Sequence, residues 1–173
     1  MTLLMEGMSN AGIPMLMLVV GPTMSLAPIA DHGTDDQKQR WLPAACRGES
    51  NFCFAITEAT AGTNSIKINT LAKPHEDRFL LSGSKTFITG ADVCDYAIVV
   101  ARTTPHTEVK RKTDGFTLFV VDLNAKGVER HPVNINLPIP ETQFSIFFDE
   151  VDLGLENVIG EVGKGFDILF DAL

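Results

Sequence analysis

Residues 54–65, Phe54-Ala55-Ile56-Thr57-Glu58-Ala59-Thr60-Ala61-Gly62-Thr63-Asn64-Ser65, decide how this chain is read. The first half continues an alternation that begins at Phe52. Phe52, Phe54 and Ile56 fall on one side and Cys53, Ala55 and Thr57 on the other, which is the period of a β-strand. The second half is made of small and hydroxyl residues around Gly62, so the strand runs directly into a loop. Such a loop can turn backbone N–H groups and the hydroxyls of Thr57, Thr60 and Thr63 toward a polar ligand edge or a phosphate. A plain strand end with a glycine turn has the same composition. The stretch acquires meaning only beside a second one.

That second stretch is Lys85-Thr86-Phe87-Ile88-Thr89-Gly90. Phe87 and Thr89, two apart on a strand, point to the same side, so that a ring and a hydroxyl can meet one flat ligand. The surrounding sequence is β throughout. Residues 79–82 and 85–89 flank Gly83 as a predicted hairpin, and residues 96–101, 116–121 and 143–148 are further apolar runs. Thr104-Pro105, Asp114-Gly115, Lys126-Gly127 and Pro138-Ile139-Pro140 separate them with turn chemistry. The spacing predicts an antiparallel β-barrel or sandwich over residues 51–153.

Both ends read as helix. Leu3, Leu4, Met8, Met15, Leu16 and Leu18 supply apolar faces over residues 1–50. No charge occurs from Ser9 to Ala30, but Gly12, Pro14, Gly21, Pro22 and Pro28 interrupt the stretch, which favours a buried helical segment over a membrane span. Thr34 and Gln37 have the spacing of a capping box, with Asp35 and Asp36 in the first turn, Trp41 and Ala45 along one face, and Arg47-Gly48 closing the helix. Residues 154–165 read as a linker, and Phe166, Leu169, Phe170 and Leu173 repeat as the apolar stripe of a last helix. The fold class expected is α+β, a β middle domain flanked by partial helical segments.

Composition excludes several functions. In 173 residues, 45% are hydrophobic and 21% charged, and the mean hydropathy is +0.11, as in a globular protein. Fourteen basic residues against 22 acidic give a net charge of -8, which argues against a sequence-independent grip on nucleic acid or on an anionic membrane. Cys46, Cys53 and Cys94 are odd in number without paired spacing, and read as reduced thiols in a cytoplasmic compartment. His32, His75, His106 and His131 are scattered, so no metal is assigned. His106, Lys110, Arg111 and Lys112 form a local basic loop in this acidic chain. No secretory leader is visible.

Taken together, residues 54–65 and Phe87-Ile88-Thr89 resemble the two flavin-binding signatures of the acyl-CoA dehydrogenase family. The resemblance covers the whole chain. Gly33-Thr34-Asp35-Asp36-Gln37-Lys38 with Trp41-Leu42-Pro43 is similar to the last helix of the family's N-terminal helical domain. Residues 157–160 and Gly163-Lys164-Gly165-Phe166 are similar to the entry of its C-terminal bundle. The departures are Phe87 where the family often has Trp, Ala59 where it often has Pro, and Asn64 where it often has Asp.

The resemblance implies FAD as cofactor. Thr57 would bond the pyrimidine side of the isoalloxazine and Ile56 would form part of the apolar wall. Thr89 would stand near the flavin N5, Phe87 would cover the ring, and Thr63 would lie between the FAD pyrophosphate and the acyl-CoA. Phe54, Gly62 and Ile88 complete the two signatures. Arg111 or Lys112 would meet the anionic coenzyme A. The implied reaction removes a proton from Cα of an acyl thioester and passes hydride from Cβ to flavin N5. The family's base is a glutamate of the C-terminal bundle, ahead of which this sequence stops, so no catalytic residue is assigned and the chain alone is expected to be inactive. Glu58 is given a structural part in the turn, and Glu141, Asp149 and Glu150 read as solvated loop charges. The implied partners are an acyl-CoA substrate, an electron-transfer flavoprotein or similar acceptor, and further copies of the chain in a homo-oligomer. The implied location is the cytoplasm, or the mitochondrial matrix in a eukaryote. Two alternatives stand beside this reading: an acyl-CoA oxidase, and a non-catalytic β module that uses the same face for a partner.

Overall fold

The computed structural model describes residues 2–13, 16–136 and 140–172. Along them run α1 (Thr2–Asn10), α2 (Leu16–Val19), a π-helical segment (Val20–Leu26), α3 (Ala27–His32) and α4 (Asp35–Cys46). The strands follow: β1 (Phe52–Ala55), β2 (Leu71–His75), β3 (Arg78–Thr89), β4 (Tyr96–Arg102), β5 (Phe116–Asp122), β6 (Val128–Val133), β7 (Gln143–Gly154) and β8 (Val158–Ile159). The last element is α5 (Gly165–Ala172).

β4 and β5 pair antiparallel from Tyr96↔Asp122 to Arg102↔Phe116. They carry almost nothing but apolar side chains, so both of their faces must be covered. Alternation sorts those side chains. Ala97, Val99, Ala101, Phe119 and Val121 join a core with Phe79 and Leu81 of β3 and with Phe144, Ile146 and Phe148 of β7. The edge of Phe79 meets the Phe119 ring at 5.3 Å between centroids. Ile98, Val100, Leu118 and Val120 face the other way, into a core with Ile29, Trp41, Ile168 and Leu169 of the helices. One face of the central hairpin is thus covered by the sheet itself and the other by helices. The strand order is β6-β7-β3-β2-β4-β5-β8, with β1 beside β4, and the sheet is not closed. Most pairs are antiparallel, but β1 runs parallel to β4 from Phe52↔Tyr96 to Ala55↔Val99, and β2 touches β4 in parallel at Leu71↔Arg102.

Several local expectations are corrected. Residues 78–89 are one strand, and Gly83 is not its turn. The hairpin joins β2 to β3 and closes at His75↔Arg78 around Glu76-Asp77, with Glu76 at φ 54. Gly83 serves a close approach instead: at φ 142, a Cβ there would stand 2.8 Å from the Thr70 Cα. β2 and β6 escaped the sequence reading because Pro74 and Pro132 lie inside them, which strands tolerate where the missing N–H is not needed. Residues 154–165 are more than a linker, since β8 lies among them and pairs with β5 at Leu118↔Ile159. The apolar face expected for α1 is open, with Leu3 and Leu4 exposed and no residue of the helix buried. Met15, Leu173, Pro138 and Ile139, and the side chains of Leu16, Leu18 and Phe170, lie outside the described residues. Among those described, no helix is long and apolar enough to cross a membrane.

The capping box is present and extends further than its spacing implied. Thr34 N donates to Gln37 Oε1 at 2.8 Å and Gln37 N donates to Thr34 Oγ1 at 3.3 Å. The same Gln37 side chain, buried, donates from Nε2 to Glu156 O at 2.9 Å and to Val158 O at 2.7 Å. One amide therefore starts α4 and fastens it to the strand after β7. Gln37→Ala, which leaves buried carbonyls unpaired, should lower the unfolding free energy by about 2–4 kcal/mol. Urea titration with an unchanged slope checks this, with exposed Gln39→Ala as the control, expected to stay within about 0.5 kcal/mol.

Candidate functional site

Where β1 ends at Ala55, the chain leaves β4 and enters a tight turn. Glu58 N donates to Ala61 O and Ala61 N returns to Glu58 O, both at 3.1 Å. The turn aims the Glu58 carboxylate inward. There it accepts Asn69 N–H at 2.7 Å, Thr70 N–H at 2.9 Å and the Lys85 ammonium at 2.8 Å. Lys85 Nζ donates also to Ile56 O at 3.0 Å. The two side chains are 7% and 0% exposed, a charge pair buried between the turn and β3. Next to it, Thr86 N donates to Thr57 O at 2.9 Å. The two stretches that carried the sequence reading are therefore in direct contact.

Burial pulls the Lys85 ammonium down to about 8, and the neighbouring Glu58 charge only partly opposes it. For Glu58, burial alone would raise the carboxyl. The Lys85 charge, with hydrogen bonds from Lys85, Thr70 and Asn69, outweighs that and holds it below its ordinary range. The expected structural part of Glu58 in the turn is what the geometry displays. With three donors on its oxygens, this carboxylate is engaged and is not free to take a proton from an outside carbon.

Beyond Lys85 the strand is not regular. Pairing of β3 with β7 steps from Lys85↔Ile146 to Ile88↔Phe144, three residues against two, which is a β-bulge. Thr86 holds it from one side through a 2.9 Å bond between its Oγ1 and Ser145 Oγ. Phe87 adopts φ 56, unusual for a bulky side chain, and the residue is 56% exposed. The simple alternation that would put Phe87 and Thr89 on one side therefore does not apply across this point. Ile88 is buried in the core. Thr89 is 9% exposed, and its hydroxyl lies 3.1 Å from Gln143 Oε1 and 3.0 Å from Gln143 Nε2.

The remaining candidates divide by exposure. Ile56 and Thr57 are half-buried at the joint, while Gly62 and Thr63 are exposed on the loop. The Phe54 side chain fills the helix-side core, so Phe54, like Ile88, offers the surface little beyond main chain. Arg111 is exposed and pairs with Asp114 at 3.3 Å, and Lys112 is exposed. Beside them an open hollow of about 440 Å³ is lined by Thr60, Lys67, Asn69, His106 and Thr107. The basic groups lining it are thus Lys67 and His106 rather than Arg111 and Lys112.

Sequence reasoning missed Arg102, which is buried beside this loop. Its guanidinium donates to the carbonyls of Ile66, Ile68, Lys112 and Asp114 at 2.8–3.2 Å and lies 4.2 Å from the centre of the Phe116 ring. A cation ending the apolar run of β4 was the available signal. Lys85 and Gln143 were missed too, because their partners come from segments distant in sequence.

Comparison with known proteins places this geometry. Residues 53–151 match the family described as acyl-CoA dehydrogenase, middle domain, and residues 1–49 match acyl-CoA dehydrogenase, N-terminal domain. The acyl-CoA dehydrogenase FadE12 of Mycobacterium tuberculosis is 39% identical over 173 residues, all of this chain and 44% of the relative. This chain thus spans less than half the length of that curated relative. Among solved structures, butyryl-CoA dehydrogenase from Megasphaera elsdenii superposes with a TM-score of 0.81 at 29% identity, over 88% of this chain and 39% of that one. A structure described as the electron transferring flavoprotein of Acidaminococcus fermentans superposes with a TM-score of 0.84 at 26% identity, over 91% and 40%.

The ion pair gives stability a definite pH dependence. The folded value of Glu58 lies below its ordinary 4.5, so its contribution is present above that pH and is lost as the solution is acidified through the folded value. Lys85 releases its proton near 8 when folded, against 10.5 when unfolded. Between those values the unfolded chain binds the extra proton, and stability rises with pH. Urea unfolding from pH 3 to 10.5 should show both limbs. Glu58→Gln should flatten the acid limb and Lys85→Met the alkaline one; a wild-type stability falling from pH 8 to 10.5 relative to Lys85→Met contradicts the assignment.

Proposed function

Because this chain belongs to the acyl-CoA dehydrogenase family, we propose that it contributes one wall of an FAD site in an oxidoreductase that dehydrogenates acyl-CoA thioesters between Cα and Cβ. The observation that carries this reading is the joint itself. Thr86 N–H on Thr57 O sets a half-buried hydroxyl residue beside an exposed aromatic ring on a bulge. A flat heterocycle needs both an edge that bonds and a face that excludes water.

The residues fit such a group. Thr57 supplies a hydroxyl and main-chain groups for the pyrimidine edge, Ile56 an apolar contact, and the open Phe87 ring a cover. Gly62 and Thr63, exposed on the loop after the turn, suit a pyrophosphate. Thr89 Oγ1 accepts from Gln143 Nε2 and donates to Gln143 Oε1, and its hydroxyl turns to an outside acceptor only by giving up the second of these bonds. Thr89 then acts as a donor toward charge that builds at its partner. FAD supplies hydride acceptance at N5 when bound. Glu58 serves the fold, and the base that removes the Cα proton is, as the family resemblance implies, a glutamate of the C-terminal bundle.

Coenzyme A is polyanionic, and the hollow at Lys67 and His106, with Arg111, Lys112 and Thr63 as neighbouring candidates, is the basic surface that suits it. An electron-transfer flavoprotein as acceptor is supported by the likeness to the Acidaminococcus fermentans structure. A homo-oligomer is supported by the open apolar face of α1, where Leu3 and Leu4 need a cover.

Titration of FAD with the full chain, followed by flavin fluorescence and absorbance, tests the reading. Saturable binding is expected, with Thr57→Val and Phe87→Ala each weakening it about tenfold. An FAD spectrum that the chain leaves unchanged, or variants that bind as tightly as the wild type, would overturn it.

A further inference from the structure

A lysine with no exposed surface is a costly feature, since burying an ammonium is unfavourable unless it is paired and hydrogen-bonded. Its position in this fold shows what it accomplishes. Lys85 Nζ grips Ile56 O and Glu58 Oε1, the residues immediately before and after Thr57. Glu58 in turn holds the main-chain N–H groups of Asn69 and Thr70. Thr70 Oγ1 donates to Ser84 O at 3.3 Å, next to Lys85 again. On the other side of Lys85 lies the bulge, where Phe87 keeps a strained conformation that persists only where its surroundings over-determine it.

We propose that Lys85 and Glu58 are positioning residues for the flavin-facing edge: their buried ion pair fixes Thr57 in place against the bulge at Thr86 and Phe87. The proposal rests on the flavin reading for its purpose, but its geometry is independent of that reading. Without the ammonium, Ile56 O loses its donor and Glu58 loses the charge that draws it inward. The turn at 58–61 then keeps only its own two main-chain bonds and its grip on Asn69 and Thr70. The bond from Thr86 N–H to Thr57 O is the contact that should open first.

Hydrogen exchange of the full chain, read residue by residue by NMR, tests this without any cofactor. In Lys85→Met, exchange of the Thr86 amide should accelerate about tenfold more than that of Val99 and Phe119 in the central hairpin. The double variant Glu58→Gln/Lys85→Met removes both charges of the pair together and leaves neither partner unpaired, so it guards against simple unfolding. It should show the same selective acceleration at Thr86, although its overall stability is closer to that of the wild type. Thr86 exchange that does not change, or that rises no more than at Val99 and Phe119 in both variants, overturns the proposal.

FAD titration of the same proteins separates the two readings. About a tenfold loss of affinity in the double variant, with the hairpin amides still protected, supports the positioning role. A wild type that binds FAD and variants that bind it equally well overturn that role and leave the flavin reading standing. A wild type that ignores FAD overturns the flavin reading, and the exchange pattern then decides the clamp alone.

Discussion

Covering β4 and β5 on both faces is the constraint from which the rest of this structure follows. Two adjacent strands that carry apolar side chains on both faces along nearly their whole length cannot face water on either side. The chain answers by folding β3 and β7 over one face and by laying α3, α4 and α5 on the other. The strand order, the parallel docking of β1 and the position of the helices are consequences of that choice. The joint between residue 57 and residue 86 lies where β1 parts from β4 and passes toward β3, at the boundary of the region so covered.

Much of this was legible from local pattern. The apolar runs of β4, β5 and the first half of β7, bounded by turn residues, have the length and composition of strands that burial explains, and the box at Thr34 and Gln37 starts α4 as its spacing implied. What stayed hidden depends on partners distant in sequence. Gly83 looks like a turn because glycine usually marks one, but here it makes room for Thr70, and no local pattern encodes that encounter. A two-residue strand such as β8 has no period to detect, and its existence depends on the edge of β5.

The candidate site divides along the same line. The threonines could be picked out only by the likeness of their two stretches to the family's signatures, since their composition alone also fits a plain strand end. The groups that brace the surrounding loops and strands, Lys85, Gln143 and Arg102, look unremarkable in sequence. Lys85 falls in a strand where a solvated lysine would be expected, yet it is among the least exposed side chains of the protein. Phe87 also could be named but not placed, because a bulge shifts register by one residue and reverses the inference drawn from alternation. Similarity to the acyl-CoA dehydrogenase family supplies the chemistry, whereas the coordinates supply the scaffolding around it.

The proline inside β6 has a consequence of another kind. β6 is a terminal strand of the sheet, and its outer side is an open row of main-chain groups of the sort that recruits strands from other molecules. Pro132 deletes one donor from that row, and Glu129, Arg130 and His131 line the same strand with side chains that resist being dried. An extended peptide approaching this margin would meet a gap in its ladder and several solvated groups to strip. The irregularity that concealed the strand from sequence reading thus also protects the protein against sticking to itself edge to edge.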